Sequence, residues 1–195
     1  MRAALYIDCV GVGAGDIPNV CEEIRRTDEL ILCRMYGKDK CCEEYEEAVR
    51  GLRMQRSEYG GDGYGSALVS LAADVMADAA LEKVQRVYIA TGDCSFVPLM
   101  EKLRFMQVDT VVIGSCKADR KLVESSQRYI YTEVINGGEC TADIPSKDKI
   151  AGHIYAVSSY YNGMGANADM EQVYKSLIRK YPDFDVRNYG YTHLS

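Results

Sequence analysis

No two cysteines in this chain follow the spacing C-x-x-C, and only two histidines, His153 and His193, occur in its 195 residues. Tetrahedral zinc needs closely spaced thiolates or imidazoles, so the sequence offers no structural zinc site. The eight cysteines are Cys9, Cys21, Cys33, Cys41, Cys42, Cys94, Cys116 and Cys140. Cys9, Cys33 and Cys116 lie within or at the ends of apolar runs, where a free thiol acts as a small hydrophobe. They read as reduced thiols in a reducing compartment. A basic excess is also lacking. The net charge is −6, so no global field draws nucleic acid, although a local basic patch is compatible with that balance. No apolar run approaches the roughly 18 residues needed to span a membrane. The N-terminus lacks the basic, apolar and small-residue regions of a secretion signal. The expectation is a cytoplasmic protein with no membrane partner.

What is present is an ordinary globular composition, 47% hydrophobic and 27% charged. The length suits one substantial core with a small appendage. Short, nearly continuous apolar runs read as strands buried on both faces: AALYID (3–8), LILCRMYG (30–37), RVYIAT (86–91) and DTVVIGS (109–115). LRMQRSEY (52–59) alternates and suits a more exposed strand, and RYIYTEV (128–134) adds a last one. Between them, IPNVCEEIRRT, KDKCCEEYEEAVRG, GSALVSLAADVMADAALEKV and FVPLMEKLRFM carry apolar residues at helical spacing. In the third, Leu68, Leu71, Ala72, Val75, Met76 and Ala79 form the stripe to be buried. Strands alternating with helices predict an α/β fold around a mostly parallel sheet.

The segment NGGECTADIPSKD marks a linker over 136–149. It divides a domain over 1–135 from a small module over 150–195. That module holds a short helical pattern, a Gly/Asn loop and the helix MEQVYKSLIRKY, too little to bury a core of its own.

The glycines after the first strand invite a dinucleotide reading, which the spacing does not support. Gly11, Gly13 and Gly15 stand two apart, Asp16 takes the place of the third fingerprint glycine, and no acid ends the second strand. The carboxylates lead elsewhere. Asp8 ends the first strand and Asp93 follows the fourth, so the two converge over one crevice if those strands are neighbours. Asp74 lies on the preceding helix amid small and apolar residues, with Asp78 one turn on as the candidate for the solvent-facing position. A carboxylate among apolar groups needs a partner or a cation. Clustered carboxylates suit a hard divalent ion that keeps several waters. The alternatives are a helix cap at Asp93, a turn former at Asp8 and a polar helix face at Asp74.

ALYIDCVGVG, SLAADVMADAA and VYIATGDCSFVPLMEKLRFMQVDTVVIG resemble the NYN domain family, the LabA-like branch of the PIN-like nuclease fold. The resemblance spans residues 1–135 and implies a three-layer, Rossmannoid α/β fold. It implies metal-dependent ribonuclease chemistry on single-stranded RNA, with Asp8, Asp74 and Asp93 as ligands of Mg²⁺ or Mn²⁺ and Thr91 and Ser95 as accessory groups. Three positions depart from the family pattern: Gly11 replaces an asparagine, Ser95 a second aspartate, and Leu68 an acid opening the long helix. Asp62, in GGDGYG, is near that helix start but out of register. These departures carry the alternative, a catalytically degraded domain acting as an RNA-binding or protein-binding adaptor.

The tail VYKSLIRKYPDFDVRNYGYTHLS resembles the OST-HTH (LOTUS) module through Leu177, Pro182, Phe184, Asp185, Arg187, Tyr189, Gly190, Tyr191 and Leu194. This implies a small helical, winged-helix-like segment that binds RNA or a protein partner. As local positive charge for RNA, Arg50, Arg53 and Arg56 precede the proposed crevice, and Lys117, Arg120 and Lys121 follow the fifth strand. Oligomeric state, monomer or dimer, stays open.

Overall fold

The structure is a computed structural model that describes residues 1–37, 45, 54–56, 64–81 and 83–192. Six strands form one sheet: β1 (Arg2–Asp8), β2 (Glu29–Tyr36), β3 (Met54–Arg56), β4 (Arg86–Ala90), β5 (Asp109–Gly114) and β6 (Arg128–Tyr131). Their order is β3-β2-β1-β4-β5-β6 and every pairing is parallel. The expected neighbourhood of the first and fourth strands is therefore met, and chain order reverses between β1 and β4. In open parallel sheets, that reversal opens the ligand crevice at the carboxyl ends.

Helices α1 (Ile17–Arg25) and α3 (Val97–Phe105) both begin with proline in their first turn, where a missing N–H costs nothing. Helix α2 (Tyr64–Ala80) buries Ala67, Leu71, Val75 and Ala79, while Leu68, Ala72 and Met76 are partly buried against the same core, as the stripe predicts. Two apolar layers flank the sheet. One joins α2, α3 and α4 (Arg120–Ser125) to Tyr6, Val87, Ile89 and Val112. The other joins α1 to Leu5, Ile7, Tyr88 and Ile113. This is the three-layer architecture of a PIN-like domain. No helix among the described residues is long and apolar enough to cross a membrane.

Several boundaries differ from the sequence expectation. The last strand ends at Tyr131, and Thr132–Ile135 turns into the short helix α5. Helix α4 was unmarked because six residues are too few to show a period; Asp119 caps it by accepting from the Lys121 N–H. The helix expected over 38–51 lies outside the described residues apart from Tyr45. Helix α6 (Lys147–Gly163) begins inside the expected linker and runs for 17 residues although Ile150 is its one buried residue. With so little apolar periodicity, its length was not legible.

Helix α7 (Met170–Lys180) has the opposite character. It opens with a capping box between Asp169 and Gln172 and buries Val173 and Leu177. These pack with Ile150 and Phe184 into a small separate core. The segment after α7 then docks on the larger domain. The Tyr129 N–H donates to the Pro182 carbonyl at 2.8 Å, and buried Asp183 accepts from Arg120 at 2.7 Å and from the Tyr131 hydroxyl at 3.0 Å. Arg187 reaches Glu23 of α1 at 2.7 Å.

Candidate functional site

Alternation along β1 puts Ala4, Tyr6 and Asp8 on the face covered by α2. Asp8 ends the strand, in register with Tyr36 of β2, and it is 1% exposed. Its Oδ2 accepts from the Thr91 hydroxyl at 2.8 Å and its Oδ1 from the Val10 N–H at 3.0 Å. Thr91 Oγ1 accepts in turn from the Asp93 N–H at 3.1 Å. A single buried hydroxyl thus ties the Asp8 carboxylate, at the end of β1, to the backbone of Asp93 in the loop after β4. Asp93 also caps the 3-10 turn 94–96, its Oδ1 taking the Ser95 N–H at 2.7 Å. The capping alternative for Asp93 is therefore a real part of its role.

Gly11 closes this corner. A Cβ there would lie 2.6 Å from the Gly92 nitrogen, 2.7 Å from Asp8 Oδ2 and 3.0 Å from the Thr91 Cα. Two of these are backbone atoms that cannot swing aside. The loop after β1 therefore sits against the loop after β4, and the family's asparagine has no room in this arrangement. Tyr45 fastens the loop from the other side, donating to the Cys9 carbonyl at 3.0 Å and touching the Val12 carbonyl.

Asp74 stands in a different setting. It accepts from the Tyr36 hydroxyl at 2.8 Å and pairs with Arg34 at 3.3 Å. One turn on, Asp78 accepts from the Tyr6 hydroxyl at 2.9 Å and pairs with Arg34 and Lys83, each at 3.1 Å. The side chain of Asp78 is 3% exposed and that of Asp74 37%. The solvent-facing member of the pair is thus Asp74, the reverse of the sequence expectation. Burial, helped by the bonds to Asp74 and Asp78, pushes the Tyr36 and Tyr6 hydroxyls far above the usual tyrosine range. Both remain donors at any ordinary pH. This ladder was missed, although Tyr6, Arg34 and Tyr36 at alternate strand positions facing α2 were its visible signal.

Among the described residues, no three His, Cys, Asp or Glu side chains are gathered closely enough to hold a metal ion. Of the expected set, Asp8 and Asp93 are linked through Thr91, and Asp74 bonds Tyr36, the residue in register with Asp8. A hard divalent ion needs only one or two carboxylates, with water as its remaining ligands.

The basic candidates divide. Lys117 and Lys121 are exposed beyond β5, at the carboxyl edge. Arg120 pairs with Asp183 and with Glu124, which fixes its guanidinium on the tail. Arg56 ends β3, and Arg50 and Arg53 lie outside the described residues. Glu133, also at the carboxyl edge, was not singled out from the sequence. Burial opposes its ionisation, but bonds from Ser115 and Cys116 outweigh that and hold its pKa below the ordinary value.

The family model of the NYN domain matches residues 2–135. No curated protein matches the chain. A protein of unknown function from Vibrio parahaemolyticus is 18% identical with a TM-score of 0.47, over 66% of this chain and 90% of that one. An oxidoreductase from Thermotoga maritima is 15% identical with a TM-score of 0.34, over 84% of this chain and 43% of that one. Likeness at that level carries no assignment; the family match and the parallel sheet do. The chain belongs to the NYN domain family, of the PIN-like nuclease superfamily.

Proposed function

We propose that this protein is a metal-dependent endoribonuclease acting on single-stranded RNA, with Asp8 and Asp93 at the centre of its site. The observation that supports this most is the Asp8–Thr91–Asp93 arrangement at the carboxyl ends of the two central strands. Mg²⁺ or Mn²⁺ held by the two carboxylates would supply the Lewis acidity that makes water nucleophilic and offsets charge on the leaving oxygen. Thr91 orients Asp8, and the Ser95 N–H fixes Asp93. Asp74 acts through Tyr36, which flanks Asp8 in register. Lys117 and Lys121 offer positive charge to the RNA backbone at the same edge. With Asp8 covered, the loop 9–13 must lift from Gly92 before an ion reaches that carboxylate.

That same closure favours a second reading. A buried Asp8 with Gly11 packed over it, and Ser95 where the family has an acid, suits an adaptor that binds RNA or protein without turnover. The test is cleavage of end-labelled single-stranded RNA with Mn²⁺, beside EDTA and Asp93→Asn controls. Metal-dependent cleavage lost in Asp93→Asn is the expected result. Cleavage that survives in the variant removes Asp93 from the mechanism, and RNA binding without cleavage selects the adaptor.

A further inference from the structure

The opposite end of the sheet carries a cleft that the proposed nuclease site does not use. It lies between the amino ends of β4, β5 and β6 and helix α7, with a volume of about 790 Å³. Five cations line it, Arg86, Arg104, Arg128, Lys175 and Arg179, against three acids, Asp109, Glu124 and Glu171. Each of the acids already has a partner: Arg86 holds Asp109 at 2.6 Å, Arg120 holds Glu124 at 3.1 Å, and Lys175 holds Glu171 at 2.5 Å. Arg104 donates to the Ser125 carbonyl, Arg128 acts on the Asp185 carboxylate beside it, and neither Arg104 nor Arg179 forms an ion pair among the described residues. In a chain of net charge −6, five cations against three acids make this cleft a local positive site.

The cleft is also elongated. Arg128, Glu171 and Tyr174 line both it and an adjoining depression that continues past Val186 to Thr192. Guanidinium forks match phosphate oxygens two at a time. Tyr174 adds an aromatic ring, on which any base can stack. Arginines and an aromatic ring lining one cleft suit a chain of nucleotides better than a run of acidic side chains, which has nothing to stack.

We infer that this cleft binds the backbone of single-stranded RNA, a second contact remote from Asp8 and Asp93 and built jointly by the domain and α7. The inference rests on the proposed RNA substrate only for the identity of the strand. It is tested in EDTA, where cleavage is silent, by fluorescence anisotropy of a labelled 20-nucleotide RNA titrated at several salt concentrations. The expected result is at least a tenfold loss of affinity in the triple variant Arg104→Gln/Arg128→Gln/Arg179→Gln. Removing one phosphate contact should lower the slope of log affinity on log salt by about 0.7. The exposed single variant Arg179→Glu serves if the triple variant fails to fold, with a several-fold loss expected. Unchanged affinity and slope in folded variants, or no RNA binding by the parent, overturns the inference. Arginine-dependent binding of polyglutamate in place of RNA also overturns it, in favour of an acidic protein. Cleavage of a six-nucleotide RNA separates the two proposals. Asp93-dependent cleavage beside arginine-independent binding leaves the nuclease and removes the cleft; arginine-dependent binding without any cleavage does the reverse.

Discussion

At the scale of single residues, Gly11 decides more than either aspartate beside it. The resemblance marks it as a lost asparagine, which suggests that restoring the asparagine would improve the site. The geometry predicts otherwise. A Cβ at this position meets backbone atoms of Gly92 and Thr91 and the Asp8 carboxylate at 3.0 Å or less. Two of these are backbone, and the third is a buried carboxylate held by the Thr91 hydroxyl and the Val10 N–H. Overpacking of this kind commonly costs about 1–3 kcal/mol. Gly11→Asn is therefore expected to lower the free energy of unfolding by that amount, read from a lower urea midpoint, and to gain no metal affinity. A variant as stable as the parent would mean that the loop moves off Gly92 at little cost, and the closure over Asp8 would lose its weight. The sequence showed the glycine but not what it touches, because the contact joins residues some eighty positions apart.

At the scale of elements, strand alternation was readable and helix phase only partly so. Runs such as AALYID and DTVVIGS gave the central strands to within a residue, because burial on both faces leaves an apolar signature that composition alone reveals. The place of Asp8 was legible for the same reason, as the polar residue that ends such a run, and that of Asp93 as the acid just past another. Asp74 and Asp78 were harder. They sit one turn apart on α2, and hydrophobic spacing does not say which of two such acids meets the sheet. The buried tyrosine hydroxyls and Arg34 decide it, and they belong to other strands. Removing the charge at Asp78 leaves Arg34 and Tyr6 with an altered buried partner, and breaking a buried pair costs about 3–5 kcal/mol. At Asp74, where more than a third of the side chain is in water, solvent screening holds the loss to about 1 kcal/mol. Asp78→Asn should thus shift the thermal midpoint several times further than Asp74→Asn. Equal shifts would show that the two carboxylates share one load through Arg34.

The whole molecule is held together by charge as well as by its cores. The tail has only a small apolar core, so its seat on the domain depends on the pairs made by Asp183, Asp185 and Arg187. The tail's small size made this dependence legible, but not the pairs that carry it. PDFDVRNY resembles a binding motif of a module expected to be too small to stand alone, and its arginine reaches Glu23 of α1, more than 160 residues earlier. Burial raises the pKa of Asp185, but hydrogen bonds from Arg187 outweigh it and hold the carboxyl below its ordinary value. A depressed carboxyl binds fewer protons in the folded state than in the unfolded one. Its stabilisation is therefore complete above the unfolded value near 4 and is lost as pH falls through the folded value. Glu133, just before the 136–149 segment, carries the same sign, so acid should weaken its bonds and those of Asp185 together. The urea midpoint is expected to stay flat from about pH 8 to 5 and to fall below about pH 4. Arg187→Gln should lower stability at pH 7 by no more than about 3 kcal/mol, since Arg187 keeps 28% of its side chain exposed, and should flatten the acid fall. Limited proteolysis between 136 and 149 at pH 7 reads the same event locally, with faster cleavage in the variant. If the variant matches the parent in midpoint, acid profile and cleavage rate, the seat rests on Asp183, Arg120 and the backbone bond to Pro182 instead.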